Sequence, residues 1–358
     1  MKFAHFAQIF PREGETSAER YDQLWREIQL CDEMGFDYGF TSVHHFERLR
    51  PQAAVYCTGA AAHTRNIRLG PMGYSVALYD PMRIVEESIV LDNVTHGRLE
   101  VGLTVGLTFD EFRVYRADWE NRAELAVEAM HLLKKAFLSE QPFDFHGPYH
   151  QYDEVSFSVK PLQTPHPPIW LMSITPEILS VSADQGVHTG YLFQRPRREA
   201  AERLKPYLTT WRDRGHPYPP NVIYLAFVYV DETDEAALRN GMPHILHSME
   251  IIYGQMRKGN EVFERELEER QDTGRMEIRS NFANPEYLLE HDLIFVGSPD
   301  TVSRKLKAAA EEGLFNVVGA ELNVGTLPEP DLMRSIRLFG NEVIPALRDV
   351  DPLRELSG

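Results

Sequence analysis

The chain has 358 residues, 43% of them hydrophobic and 25% charged, and its formal net charge at pH 7 is -17. This composition is typical of a packed globular protein, and the length suits either two ordinary domains or one α/β barrel with insertions. The negative charge repels the phosphate backbone of nucleic acids, so we expect no nucleic-acid binding.

Strands and helices alternate from the start of the chain. Residues 2–9 form a strand-like run, residues 17–34 carry apolar side chains at helical spacing, and residues 36–42 predict a second strand. The same alternation of helix and strand continues over residues 51–63, 67–76, 81–94, 99–103 and 120–138. Four strand–helix units therefore fill the first part of the chain.

The second part continues this order after an aromatic, alternating segment at 142–159, which we predict to be a hairpin-like excursion. Further strands are predicted at 168–173, 188–193, 222–230 and 316–322, with helices at 175–185, 198–214, 298–312 and 331–347. The basic cluster of Arg195, Arg197 and Arg198 is interpreted as the solvated entry to a helix, where a single phosphate could dock.

Residues 241–292 break this rhythm with a stretch rich in Met, Glu and Arg. The stretch is too long for a simple connection, so we interpret it as an insertion that is helical and lies over the mouth of the barrel. With eight strands, each followed by a helix, the chain is predicted to be one (β/α)₈ barrel domain over residues 1–358.

An open doubly wound sheet is the rival fold. A sheet of that type that binds a nicotinamide cofactor has a G-x-G-x-x-G loop after its first strand. Here the first strand runs into Phe10, Pro11 and Arg12, which form no such loop. The barrel is therefore favoured.

The two cysteines, Cys31 and Cys57, each lie on an apolar helical face. This placement predicts two small buried side chains in a reducing compartment and no disulfide. The N-terminus shows no signal-peptide pattern, and no apolar run reaches the length of a membrane span. We therefore expect a cytoplasmic protein without a membrane span.

The active site of a (β/α)₈ barrel lies at the carboxyl ends of its strands, which nominates candidate residues by position alone. These residues are His44 and His45, Met72 to Tyr74, Thr104, Ser173, and Glu321 with Asn323. No G-x-S-x-G elbow is present and neither cysteine sits at a strand end, which argues against nucleophilic catalysis.

The His44–His45 pair can donate or accept protons near neutral pH. Adjacent side chains point apart, so at most one of the two is expected to face the mouth. Position alone leaves a catalytic and a structural role equally open for that residue. A metal site formed with Glu47 is a weaker alternative, because the spacing matches no zinc pattern.

Residues 67–103, IRLGPMGYSVALYDPMRIVEESIVLDNVTHGRLEVGL, closely resemble the signature stretch of the luciferase-like flavin monooxygenases. The resemblance extends to SVHHFE at 42–47, to FDEFRVY at 109–115 and to the segment 297–347, and it is weakest over 241–292. It implies a barrel that holds reduced FMN (FMNH₂) at its mouth. There O₂ would react at the flavin C4a carbon, and the resulting peroxide would oxygenate a substrate.

The resemblance also assigns roles to single residues. His44 matches the histidine proposed as a general base or hydrogen-bond partner near the flavin peroxide, and His45 is left with a structural role. A non-prolyl cis peptide under the flavin would fall at about Met72-Gly73. The cofactor contacts implied are Met72, Gly73, Thr104, Met172, Ser173 and Thr175, the last two near the phosphate, where they would equally serve as an ordinary helix cap.

One departure from the family pattern concerns the cofactor phosphate. Many relatives have an arginine after strand four, where this chain has Val105. Either another arginine, such as Arg195, compensates, or FMNH₂ is held loosely and supplied by a separate NAD(P)H:flavin reductase. We favour loose binding.

The resemblance implies oxygen insertion into an apolar organic substrate such as an aldehyde, a ketone or an activated ring, and association as a homodimer through the helices that follow strands two and three. The residues Phe46, Tyr74, Tyr79, Phe109 and Trp170 could line the substrate pocket, although aromatic residues at such positions are often plain core. Two other functions stay open, namely hydride transfer with a deazaflavin and a non-catalytic flavin-binding partner subunit.

Overall fold

A ring of parallel strands enclosed by helices forms the centre of this computed structural model, which describes residues 1–9, 12–46, 52–259 and 261–354. The strands of the described residues are β1 (Lys2–Ala7), β2 (Tyr38–Thr41), β3 (Arg68–Pro71), β4 (Tyr74–Ser75), β5 (Val101–Thr104), β6 (Phe143–His146), β7 (Gln151–Val155), β8 (Ile169–Met172), β9 (His188–Leu192), β10 (Val222–Val230), β11 (Phe295–Gly297) and β12 (Val317–Glu321).

The helices of the same residues are α1 (Ser17–Glu33), α2 (Ala53–His63), α3 (Pro81–Val94), α4 (Phe109–Tyr115), α5 (Arg122–Leu138), α6 (Pro176–Gln185), α7 (Arg197–Arg214), α8 (Asp234–Gly259), α9 (Glu261–Glu269), α10 (Thr273–Ser280), α11 (Pro285–Glu290), α12 (Pro299–Gly313), α13 (Glu329–Leu338) and α14 (Ile344–Leu347). A 3₁₀ turn covers Val76–Leu78, and a π-helical turn at Phe339–Val343 joins α13 to α14.

The strands of the ring follow the order β3-β2-β1-β12-β10-β9-β8-β5-β4. Neighbours along this path pair in parallel, as in the register of β1 with β12 and of β5 with β8. A parallel bridge between Leu69 and Leu99 joins β3 to the segment before β5, so the ring is nearly closed. The prediction of a (β/α)₈ barrel is confirmed.

Both faces of the barrel strands are buried, which explains their composition. All nine residues of β10, VIYLAFVYV, are buried, as expected for a parallel strand with side chains inside the barrel and under the helices. The barrel interior is filled by the cluster Ala4, Phe6, Tyr38, Phe40, Met72, Trp170, Ile223, Leu225 and Val317. The helices bury one face against the outside of the ring, and α1 begins with a capping box formed by Thr16 and Glu19.

The third predicted strand, at 67–76, differs from the structure. It is divided into β3 and β4 at a cis peptide between Met72 and Gly73, the position that the resemblance implied. A Cβ atom on Gly73 would lie 2.5 Å from the carbonyl carbon of Gly102. The backbone therefore presses directly against β5 at this point, which only glycine permits.

The smaller elements agree with the prediction only in part. The segment 142–159 contains the antiparallel hairpin β6–β7, which confirms the predicted excursion. The short strand β11, which pairs with the end of β10, and the helix α4 were not predicted. Helix α8 runs from Asp234 to Gly259 and therefore crosses position 241, where the sequence indicated that an insertion begins. Of the loop after strand one, Phe10 and Pro11 lie outside the described residues.

Buried polar side chains lie at the other end of the barrel, where the strands begin. Glu100 lies just before β5, accepts a hydrogen bond from Trp170 Nε1 at 2.6 Å and forms an ion pair with Arg68. His188, at the start of β9, stacks against Trp211 at a centroid distance of 5.4 Å and accepts a hydrogen bond at Nδ1 from the backbone of Asn221. Burial lowers the pKa of His188 to about 3.

This buried histidine predicts a loss of stability in mild acid. The unfolded chain takes up a proton on His188 near pH 6.5, whereas the folded chain does not until about pH 3, so stability falls as the pH decreases through 6.5. Between pH 7.0 and pH 5.5, urea unfolding should show wild type losing about 1 kcal/mol more than His188→Gln. Equal losses in the two proteins would contradict this assignment.

Cys31 and Cys57 are both buried and free, which confirms the prediction of two buried thiols. Within the described ranges, no helix combines the length and the apolarity that are needed to cross a bilayer.

Candidate active site

A cavity of about 860 Å³ opens at the carboxyl ends of the barrel strands. A volume of this size accommodates a cofactor together with a small organic molecule. The residues nominated from the sequence that line this cavity are His44, Met72, Gly73, Thr104, Met172, Ser173, Thr175 and Glu321. The structure therefore brings together, around one space, residues that are up to 277 positions apart in the chain.

His44 lies at the rim of this cavity, after β2, with its side chain 32% exposed. Its Nδ1 atom is 3.2 Å from Oε1 of Glu111, whose side chain is only 4% exposed. A carboxylate accepts hydrogen bonds but does not donate them, so this contact places the ring proton on Nδ1. Nε2 is then the nitrogen that can accept a proton from a ligand.

Glu111 was not singled out from the sequence. It lies in the first turn of α4, within the FDEFRVY segment that supported the resemblance, and it also accepts a hydrogen bond from the backbone of His45 at 3.0 Å. One carboxylate oxygen therefore fixes both the ring of His44 and the loop that carries it. The sequence shows only an acidic residue after strand four, and it does not indicate that this residue contacts His44.

His45 is buried and does not line the cavity. Its ring nitrogens lie 3.3 Å from the hydroxyl of Tyr79 and 3.2 Å from that of Tyr115. Burial lowers the pKa of His45, which favours its neutral form. Only His44 of the pair faces the mouth, as their adjacent positions predicted.

Backbone and hydroxyl groups form the floor on the β3–β5 side. Gly73 and Ser75 line the cavity. Among the described residues, the buried hydroxyl of Ser75 has no hydrogen-bond partner. A planar polar ring that enters from the mouth could therefore lie against the backbone at Gly73 and bond to Ser75. These groups fit the edge of an isoalloxazine ring.

Hydroxyl groups cluster across the cavity, where β8 ends. Ser173 Oγ and Thr175 Oγ1 are 2.9 Å apart, and Thr175 is the N-cap of α6 without using its side chain to cap it. The first turn of this helix exposes backbone N–H groups toward the same side. Val105 also lines the cavity and contributes no charge.

The basic cluster after β9 lies at the entry to helix α7, as predicted, but the prediction that the whole cluster is solvated is wrong. Only Arg198 is solvated, whereas the side chains of Arg195 and Arg197 are 13% and 10% exposed. Arg197 forms an ion pair with Glu312 of α12, and Arg195 lines the cavity. The reason is tertiary, because the start of α10, the residues after α11 and Glu312 of α12 contact this segment and make it part of an interior wall.

The aromatic residues suggested as a substrate pocket are not found there. Trp170 is in the barrel core, Tyr74 donates to Glu87, Tyr79 contacts His45, Phe109 packs edge-on against Trp119 and Phe46 is exposed. Within the described residues, the aromatic side chains that line the cavity are Phe6, Tyr191 and Phe193. The break between β3 and β4 and the fold of the α4 segment determine these orientations, and neither was predicted.

Two short helices cover part of the mouth. Glu266 of α9 accepts hydrogen bonds from Trp119 at 2.8 Å and from Arg122 at 2.5 Å, and Arg122 lies 3.8 Å from the Trp119 ring centre. Residues 270–275, which link α9 to α10 and form the first turn of α10, line the cavity. Contacts with α5 therefore hold α9 beside the opening.

Two further strand-end candidates, Glu321 and Asn323, remain to be placed, as does the suggested metal site. Glu321 accepts a hydrogen bond from Gln8 at 2.7 Å at the cavity wall, whereas Asn323 is turned away and donates to Glu27. Among the described residues, no group of three potential metal ligands comes together. Glu47, the third member of the suggested metal site, lies outside the described residues.

The sequence has relatives of known activity. A family model described as luciferase-like monooxygenase matches residues 1–316. The alkanal monooxygenase alpha chain of Photobacterium leiognathi is 23% identical over 364 residues, which cover 98% of this chain and 99% of that protein. The oxygenase component of the flavin-dependent trigonelline monooxygenase of Acinetobacter baylyi is 21% identical over 240 residues, which cover 66% of each.

Solved structures share the fold. Monooxygenase RslO1 from Streptomyces bottropensis has a TM-score of 0.79 at 20% identity, covering 96% of this chain and 99% of that one. The oxygenating constituent of 3,6-diketocamphane monooxygenase from Pseudomonas putida, in complex with FMN, has a TM-score of 0.75 at 19% identity and covers 97% and 98%. An F420-dependent secondary alcohol dehydrogenase has a TM-score of 0.71 at 17% identity and covers 97% and 99%.

Proposed function

Because the chain belongs to the family of luciferase-like monooxygenases, we propose that it is the oxygenase component of a two-component system that uses FMNH₂ and O₂. Its substrate is an organic molecule with an apolar body, such as an aldehyde, a ketone or an activated ring. One oxygen atom enters the substrate, the other leaves as water, and two electrons come from the reduced flavin. The observation that carries this proposal is the strand-end cavity, with the His44–Glu111 pair at its rim.

The cofactor, when bound, supplies the activation of O₂, and the protein binds and orients it. Gly73 and Ser75 would hold the ring from the β3–β5 side. Ser173 and Thr175 would receive the phosphate at the start of α6, and Met72, Met172 and Thr104, which also line the cavity, would contact the cofactor from its wall. Helices α9 and α10 limit the access of water to the reacting atoms.

His44 would move the proton that the reaction requires. The hydrogen bond from Nδ1 to Glu111 leaves Nε2 as the basic nitrogen at the cavity. Glu111 acts through His44 and is therefore a positioning residue.

Glu111→Gln should lower kcat about 10- to 100-fold with little change in KM, because the amide keeps the shape but loses a charge-assisted hydrogen bond. Steady-state kinetics with FMNH₂ supplied in excess measures both constants. Asp110→Asn, next to it and on the exposed side of α4, is the matched control and should behave as wild type. A rise in KM or a fall in thermal stability, without a change in kcat, would reduce Glu111 to a structural residue.

A separate NAD(P)H:flavin reductase would provide the reduced cofactor. The oxygenase component from Acinetobacter baylyi supports such a partner, as does the missing dinucleotide loop in this chain. Val105 removes one charged contact to the phosphate, which suits a cofactor that is exchanged between two proteins. We place both proteins in the cytoplasm, together with the NAD(P)H that the reductase consumes.

The direct test supplies photoreduced FMN under ¹⁸O₂ with a panel of aldehydes and ketones, and follows the products by mass spectrometry. A product heavier by one labelled oxygen atom supports the proposal.

The similarity to an F420-dependent dehydrogenase favours one rival function, hydride transfer. Anaerobic reduction of a deazaflavin by an alcohol, with no labelled product under ¹⁸O₂, would establish that rival. A non-catalytic subunit would bind flavin and show neither activity.

We also infer that the protein is a homodimer joined through α2 and α3. These helices expose valines on their outer faces, namely Val55, Val90 and Val94. Val90→Arg should raise the dimer dissociation constant about 100-fold or more, because a guanidinium would be buried in an apolar interface. Light scattering at micromolar concentration measures this, with the exposed loop substitution Val159→Arg as the control. A monomeric wild type would overturn the inference.

A further inference from the structure

Gln8 lines the cavity just after the first barrel strand and is only 6% exposed. Its Nε2 atom donates a hydrogen bond of 2.7 Å to Oε2 of Glu321. Because a carboxylate accepts hydrogen bonds and an amide oxygen cannot donate one, this contact fixes which end of the amide is the oxygen. Within the part of the chain that the structure describes, the buried Oε1 atom of Gln8 has no hydrogen-bond partner.

The unpaired oxygen of Gln8 is a cost to the protein unless a ligand pairs with it. Nearly all buried polar groups in proteins form hydrogen bonds, and a group that is left unpaired destabilises the fold. Gln8 also interrupts an apolar surface, because Ala4 and Phe6, which precede it on the same face of the chain, belong to the barrel interior. An apolar side chain at this position would continue that surface without leaving an acceptor unpaired.

Gln8 lies across the cavity from groups that we propose to hold the cofactor. β1 pairs with β12, and this pair lies opposite the β5–β8 pair in the ring, where Thr104 and Ser173 are found. On its other side β1 pairs with β2, the strand that precedes His44. A molecule held at Gln8 would therefore have His44 at its side and the cofactor on the far side of the cavity.

The cavity wall next to Gln8 is apolar. Phe6 of β1 and Leu225 of β10 line the cavity and belong to the cluster that fills the barrel interior. β10 pairs with β12, so both side chains lie on the same side of the cavity as Gln8. Such a wall suits the hydrocarbon body of a ligand, and a single polar group within it fixes the orientation of that ligand.

We propose that Gln8 anchors the substrate through Oε1 and restricts the enzyme to molecules that carry a hydroxyl or N–H group on an apolar body. A site built around such a hydrogen bond strongly rejects an analogue without the donor, because the acceptor of the protein then stays unpaired. Gln8 is thus a specificity-determining residue. The inference rests on the proposed function for the reaction that the substrate undergoes, but not for the binding of the donor group.

The test measures the binding of acetophenones that carry a hydroxyl group in the meta or para position, and of the analogues with a methyl group in its place. The two groups are similar in size, so each pair of probes differs chiefly in the donor. Calorimetry measures binding with and without FMN and without turnover. The variant is Gln8→Met, which is similar in length and has no amide. Gln29→Met is the matched control, because this exposed amide of α1 also donates to a glutamate, Glu33, at 3.1 Å.

At least one hydroxyl probe should bind wild type and Gln29→Met at least about 10-fold more tightly than its methyl analogue. Gln8→Met should lose this preference and bind the methyl analogue at least as tightly as wild type does, which also shows that its cavity is intact. Gln8→Leu, a shorter apolar replacement, takes its place if thermal unfolding shows that Gln8→Met is not folded.

The proposal is overturned if no hydroxyl probe binds wild type more tightly than its methyl analogue, or if the preference persists in the folded Gln8 variant. Failure of the proposed function gives a different result, because the preference for the hydroxyl probe would remain while no labelled oxygen enters it under ¹⁸O₂. If only the inference about Gln8 fails, labelled products should form from both members of a pair.

Discussion

His44→Ala should lower turnover about 100- to 10,000-fold and leave the dissociation constant of FMNH₂ nearly unchanged. The imidazole of His44 lines the cavity while Glu111 holds its Nδ1 atom, so Nε2 is left to exchange a proton with a reacting group. Its proposed role is in the reaction and not in docking the flavin. Stopped-flow turnover and anaerobic titration with FMNH₂ separate the two quantities.

The matched control for His44 is His146→Ala, an exposed histidine on the β6–β7 hairpin, which should behave as wild type. Added imidazole should restore part of the activity of His44→Ala, because the missing group is a proton acceptor in a cavity open to solvent. Loss of flavin affinity in parallel with turnover would instead give His44 a structural role.

Gly102→Ala should lower the free energy of unfolding by about 3 kcal/mol or more and abolish flavin binding. A Cβ atom at this position would overlap the carbonyl oxygen of Pro71 and lie 3.1 Å from Met72 Sδ. Neither strand can move away, because β5 pairs with β8 on one side and β3 pairs with β2 on the other. The displaced residues also form the floor of the cavity. Urea unfolding and flavin titration measure the two effects.

Gly215→Ala is the control for Gly102→Ala. It distinguishes the cost of atomic overlap from the cost of an unfavourable backbone conformation. Gly215 ends α7 with a φ of 64°, and a Cβ atom there would meet nothing within 4 Å. Its replacement should cost only about 1 kcal/mol, the cost of a left-handed conformation for alanine, and leave flavin binding unchanged. Equal losses for the two variants would show that β3 and β5 do not approach each other as closely as the structure has them.

The part of the site that sequence could predict is the part made by strand ends. His44, Thr104 and Ser173 each follow a recognisable apolar run, and parallel strands in a barrel all end on the same face. Their convergence on one cavity therefore required only the alternation of strand and helix. The position of Gly73 could be predicted in the same way, although the break that it causes in the third strand could not.

The parts that sequence missed come from helices and from contacts between distant segments. Glu111 is one acid among many in the chain, and nothing local shows that it meets His44, 67 positions away. Arg195 and Arg197 lie at the start of a helix, which sequence alone indicates to be solvated, yet both side chains are nearly buried. The aromatic residues failed for a related reason, because the orientation of Tyr74 depends on a strand break and that of Trp170 on the interior of the barrel.

The sequence by itself determined the barrel, the face on which its cavity opens and most of the residues at the strand ends, because the period of the apolar pattern and the order of the elements are properties of the chain. Only the tertiary structure decided which histidine of the pair faces the cavity, which carboxylate holds it and which arginines of the basic cluster are buried. Those features depend on how α4, α7 and α10 pack against the strand ends, and packing is set by surfaces that lie far apart in sequence.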